Sequence, residues 1–137
     1  MSDATTTELL AINRRLLESI AASDWATYEE LCDPSLTCFE PESRGQWVEG
    51  MDFHHFYFNL VDRHADTAQR SAVGGSVNIT ISTPHVRVMG DVAVISFIRL
   101  VQKLDGSGNP ITARSEETRV WQRQEGRWRH VHFHRTV

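Results

Sequence analysis

Apolar and polar positions divide this chain into a helical first half and a strand-rich second half. Leu9, Ile12, Leu16, Leu17 and Ile20 recur at helical spacing behind a Thr5-x-x-Glu8 capping box. That spacing predicts a long amphipathic helix to about Ala22. Asp24 is placed to cap a second, short helix with Trp25, Tyr28 and Leu31 on its inner face. Asp33-Pro34 ends it, because a residue before proline disfavours the helical region. A short strand, Leu36 to Phe39, leads into Glu40-Pro41-Glu42 and a loop to Gly45. A brief extended piece follows around Trp47 and Val48. Asp52 caps a third predicted helix, Phe53 to about Val61, with Phe53, Phe56, Tyr57 and Leu60 inward. Residues 62–76 are polar and end in Gly74-Gly75, which predicts a loop.

From Val77 the period changes to two. Val77 to Ile81 and His85 to Met89 form one bulged strand or two, with Pro84 between them. Gly90-Asp91 turns the chain into three further strands, the last two joined at Gln124-Glu125-Gly126. In the first of the three, Ala93, Ile95, Phe97, Arg99 and Val101 share a face. In the last, Val131, Phe133 and Arg135 share one, opposite Trp128, His130, His132 and His134. Arg119 lies with Glu117 and Trp121. A two-residue turn pairs Arg119 with His132, whereas a three-residue turn with a bulge at Gly126 pairs it with Val131. Under the second geometry three guanidiniums enter one apolar concavity. Uncompensated charge there is costly, so an acid or an anionic ligand is expected beside them. Helices followed by a run of antiparallel strands predict an α+β fold, with the helices on one side of a curved sheet.

At 137 residues, 40% apolar and 23% charged, the chain has the size and composition of one globular domain, residues 1–137. Its net charge of −4 argues against a nucleic-acid partner. No apolar run approaches the ~20 residues of a membrane span. Cys32 and Cys38 without an export signal point to a reducing, cytoplasmic setting. No motif calls for a cofactor.

The remaining constellations are weaker. His130-x-His132-x-His134 puts three imidazoles on one strand face, about 7 Å apart per step. That spacing suits zinc only if further ligands arrive, and an exposed or subunit-facing strand accounts for it better, so no metal is expected. Glu40 and Glu42 flank a proline, and pairing with a nearby base is favoured over a role in proton transfer. Asp105-x-Ser107-x-Asn109 lacks the distal glutamate of a calcium loop. The tryptophans Trp25, Trp47, Trp121 and Trp128, with Phe53, Phe56 and Tyr57, suit core and interface.

Four separated motifs carry a resemblance. They are Phe39-Glu40-Pro41-Glu42; Val48-Glu49-Gly50-Met51-Asp52-Phe53-His54 with Phe56-Tyr57-Phe58; Ser115-Glu116-Glu117-Thr118-Arg119-Val120-Trp121; and Val131-His132-Phe133-His134-Arg135. With the Cys32-Asp33-Pro34 turn they resemble the association (hub) domain of calcium/calmodulin-dependent protein kinase II. The likeness runs from about Thr7 to Arg135. It implies a nuclear-transport-factor-2-like (cystatin-like) cone, a curved antiparallel sheet around a long N-terminal helix. It further implies dimers assembled into two stacked rings, about twelve to fourteen subunits or more. The family's cavity matches Arg99, Arg119 and Arg135, with His54 nearby, and accepts small carboxylates or acidic peptide segments. Glu117 and Tyr57 complete the candidate set. Kinase signatures and a basic calmodulin target are missing from these residues, so a free-standing hub is expected. The 62–76 loop is longer than in the kinase hubs.

Two functions compete. The first is a self-assembling hub with a carboxylate pocket, favoured by apolar residues on both faces of the Val92–Val101 strand, which ask for cover on both. The second is a small isomerase, dehydratase or cyclase with Glu117, His54 or Tyr57 in its cavity. Arginines hold a carboxylate ionised and make it a poor base near neutrality, so no catalytic residue is assigned and the enzyme comes second.

Overall fold

The computed structural model describes residues 2–64 and 77–137. Helix α1 spans Ser2–Ala21, so Thr5 lies inside the helix and not at its cap. Its buried stripe is Leu9, Leu16 and Leu17, with Asn13 buried among them. Asn13 is tolerated there because Trp121 Nε1 donates to its Oδ1 at 3.2 Å. Helix α2, Trp25–Leu31, is capped as expected, Asp24 accepting from Thr27 N.

Strand β1, Cys32–Phe39, starts four residues before the predicted strand and contains Pro34. It can do so because its ladder to the last strand is irregular between Cys32 and Thr37, where no donor from Pro34 is required. A single 3-10 turn, Pro41–Ser43, leads to β2, Val48–Glu49.

Helix α3 spans Asp52–His64 and extends past the predicted end. Its inward residues are His54 and Phe58, a pair four apart, whereas Phe56 and Tyr57 are exposed. The inner face is thus rotated from the predicted Phe53, Phe56, Tyr57 and Leu60, because His54 and Phe58 pack on Tyr28 and His54 also on Phe133. Residues 65–76 of the predicted loop lie outside the described residues.

Strand β3, Asn78–Met89, is one strand with a bulge between Ser82 and His85. Strands β4 (Val92–Leu104), β5 (Pro110–Gln124) and β6 (Arg127–Thr136) complete a sheet of order β2-β1-β6-β5-β4-β3. Its ladders are antiparallel except β1 with β6, which is parallel. The α+β expectation stands, with that mixed pairing as its correction. The inner face buries Ala93, Ile95, Phe97, Trp121, Trp128 and Phe133 against the helices.

The β5–β6 turn decides where the arginines go. Gln124 pairs with Arg127, leaving the two-residue turn Glu125-Gly126, both at positive φ (52° and 80°). Neither predicted pairing of Arg119 results. Register shifts by one between Val120 and Trp121, with Val131 the extra residue, and Arg119 faces Phe133. Trp128 and His130 therefore join Phe133 and Arg135 on the inner face, while His132 and His134 point outward. The expected three-histidine face does not exist.

Candidate functional site

Strand alternation brings Arg99 from β4 and Arg119 from β5 to one pocket, and the Val131 bulge brings Arg135 from β6. The pocket holds about 260 Å³, and His54 and Tyr57 also line it. Tyr28, Phe58 and Phe133 add aromatic wall, and Glu40 and Glu42 stand at its rim. A larger groove, about 460 Å³, is lined by Ser96, Ile98, Thr118 and His134, which alternate out of phase with the arginines.

Glu117 lies beneath the pocket, between two of the three arginines. Its Oε1 accepts from Arg119 Nε at 2.9 Å and lies 2.8 Å from Arg119 Nη2. Its Oε2 accepts from Ser115 Oγ at 2.7 Å and sits 2.7 Å from Arg99 Nε. The Arg99 contact is an ion pair without a hydrogen bond, since its N–H is not aimed at the oxygen. Burial pushes the Glu117 carboxyl up, but Arg119, Arg99 and Ser115 outweigh it and hold it below the usual range. Burial pulls the Arg99 guanidinium down to about 10, against the pull of Glu117, so it stays charged at neutral pH.

Arg119 is almost fully buried, with its guanidinium carbon 4.3 Å above the Phe133 ring. Its Nη1 donates to His130 Nε2 at 3.5 Å. That bond fixes the His130 proton on Nδ1, which faces Cys32 Sγ at 3.4 Å. Burial and Arg119 together depress His130 far below the ordinary histidine value, so it is neutral. Burial and Arg119 likewise lower His54 to about 4.

Arg135 pairs with Glu42 Oε1 and lies 3.8 Å from Glu40 Oε2. Burial, then Glu42, raise the Glu40 carboxyl despite Arg135. The pairing expected for Glu40 and Glu42 is thus with Arg135. Cys38, Glu40 and His54 are the one group of metal-ligating types gathered among the described residues, their ligand atoms within 4.8 Å of one another. The imidazole divides its nitrogens between them, Nε2 3.8 Å from Cys38 Sγ and Nδ1 3.8 Å from Glu40 Oε1. Burial, then Glu40, push the Cys38 thiol up to about 12 against Arg119 and Arg135, so it is a protonated thiol and a poor metal ligand at neutral pH.

The sequence profile of the calcium/calmodulin dependent protein kinase II association domain matches residues 5–137. The chain belongs to that family. Among solved structures, this association domain is similar to the Chlamydamonas reinhardtii CamKII hub homology domain. The identity is 46%, over 97% of this chain and 98% of that one, with a TM-score of 0.85. It is also similar to the association domain of C. elegans CaMKII, at 38% identity over 98% and 96% of the two chains and a TM-score of 0.84. A putative dehydratase of the nuclear transport factor 2-like family from Streptomyces avermitilis shares the fold. There the TM-score is 0.74 at 16% identity, over 98% of this chain and 96% of that one.

Within this association domain the sequence, with its family resemblance, pointed to the three arginines, Glu117, His54 and Tyr57, and all of these but Glu117 line the pocket. It missed Tyr28, Phe58, His130 and the rim position of Glu40 and Glu42. The helical spacing of His54 with Phe58 was an available signal. His130 carried none, because its face depends on the bulge.

Proposed function

We propose that this association domain assembles with copies of itself and that its inner pocket takes a small carboxylate or an acidic peptide segment. The observation that carries the pocket reading is Arg99. It is 9% exposed, lines the pocket, and forms no hydrogen bond among the described residues, its only partner being the ion pair to Glu117. A buried guanidinium with unused donors is built to meet a carboxylate, whose two oxygens match its planar fork. Aromatic walls from Tyr28, Phe58 and Phe133 suit a short apolar stem behind such a head group.

Self-assembly is supported by the outer sheet face. Val92, Val94, Ile98 and Leu100 there are only half-buried, and Trp47 and Met89 are 50% and 52% exposed. Stacked rings of about twelve to fourteen subunits or more are the assembly proposed. Two of the three candidates, Glu117 and His54, do not suit the enzymatic alternative. Glu117 is held ionised by three partners, and His54 is a weak base at a pKa of about 4.

Two measurements test the reading. Light scattering on the eluting protein should give a mass of ten or more subunits, and a monomer or plain dimer counts against the rings. Malonate should raise the melting temperature of the wild type, and Arg99→Met should remove that rise. An equal rise in the variant would show that the carboxylate binds elsewhere.

A further inference from the structure

The two sides of the pocket hold their arginines differently, and the difference bears on how a ligand enters. Glu117 has a side chain with no exposure, fixed mid-strand by Ser115 and Arg119. Glu42 has a side chain 40% exposed, on the three-residue turn Pro41–Ser43. The turn's backbone is itself firm. Ser43 Oγ donates to the Glu40 carbonyl at 2.8 Å, Arg44 N bonds to Pro41 O at 3.0 Å, and Pro41 stands in the first turn. Glu42 thus has a fixed Cα and a side chain free to turn into water.

We propose that Glu42 is a tethered internal carboxylate. It occupies at Arg135 the place that an incoming carboxylate takes, and ligand entry proceeds by rotation of the Glu42 side chain into solvent. This rests on the carboxylate reading of the pocket and adds the regulation of that site. The exchange keeps the local charge unchanged, since one carboxylate leaves Arg135 as another arrives. Three guanidiniums (Arg99, Arg119, Arg135) face three carboxyl groups before the exchange, those of Glu117, Glu40 and Glu42, and three after it, with the ligand's in place of Glu42's. Glu117 cannot take part in such an exchange, because its departure would strand two buried guanidiniums. Glu40 cannot either, being buried at the foot of the turn and pushed toward its neutral form. The apparent affinity of the pocket is therefore reduced by the fraction of molecules in which Glu42 holds Arg135.

The test uses acetate as the probe, titrated by NMR or calorimetry into wild type, Glu42→Gln, Arg135→Met and the double variant. Glu42→Gln keeps the shape of the side chain, removes its charge and sits at the surface. It should tighten acetate binding about fivefold or more. The gain should vanish in the Arg135→Met background, because the competition runs through that one guanidinium. A gain that persists without Arg135 would mean a general loss of negative potential and overturn the tether. Unchanged or weaker binding by Glu42→Gln, with wild type still binding, would overturn the tether and leave the pocket reading standing. Absence of acetate binding in wild type and Glu42→Gln alike would remove both.

Discussion

Glu117 and Glu42 carry the same functional group to the same arginine cluster, yet one is part of the core and the other of the surface. Glu117 reaches Arg119 across two positions of a single strand and Arg99 across one ladder. Glu42 reaches Arg135 across 93 positions of chain. The first carboxylate neutralises charge that folding has already taken out of water. The second meets charge that is still partly hydrated, its Arg135 partner being 14% exposed. The same kind of ion pair therefore lies in the core on one side of the pocket and at the boundary with water on the other.

The sharpest way to break this comparison is Glu117→Gln. It leaves Arg99 and Arg119 buried without a counter-charge and should cost about 3–5 kcal/mol in urea unfolding. A loss under about 1 kcal/mol would place Glu117 with Glu42 as a peripheral partner. Next in size is the acid dependence of the buried histidines. His54 has a folded pKa near 4 against 6.5 unfolded, so the unfolded chain takes up the proton first. Stability should be full above about pH 6.5 and fall by roughly 2–3 kcal/mol as pH drops toward 4. His130, depressed in the same direction, adds to that fall. His54→Asn should flatten the slope, and an unchanged profile would assign it elsewhere. The smallest effect belongs to the rim. Glu42→Gln should change unfolding stability by no more than about 1 kcal/mol, as for other exposed ion pairs.

The contrast also explains what could be seen in the sequence. Arg99 was legible because β4 alternates without interruption, burying Ala93, Ile95, Phe97 and Arg99 in turn. Glu117 and Arg119 were legible for the same reason. Arg135 reached the correct face by a route the pattern did not show. The turn is two residues long, as one alternative had it, but the register changes within β6 at Val131, an ordinary β-branched residue that flags no bulge. The histidine face failed at that position too, His130 turning inward and His132 outward. The sequence predicts a basic partner for Glu42, but nothing local in it says which. Its partner is set by β1 lying beside β6, a parallel pairing that the expected antiparallel sheet did not contain.

That pairing also ties the sheet to the pocket. Strand β6 sits between β1 and β5, and β1 otherwise has only the two-residue β2 as a neighbour. Until the segment from Arg127 to Thr136 has docked, the first strand has almost no hydrogen-bonded neighbour and the arginine cluster lacks its third member. Sheet completion and pocket assembly therefore depend on one contact between distant parts of the chain, the kind that slows folding.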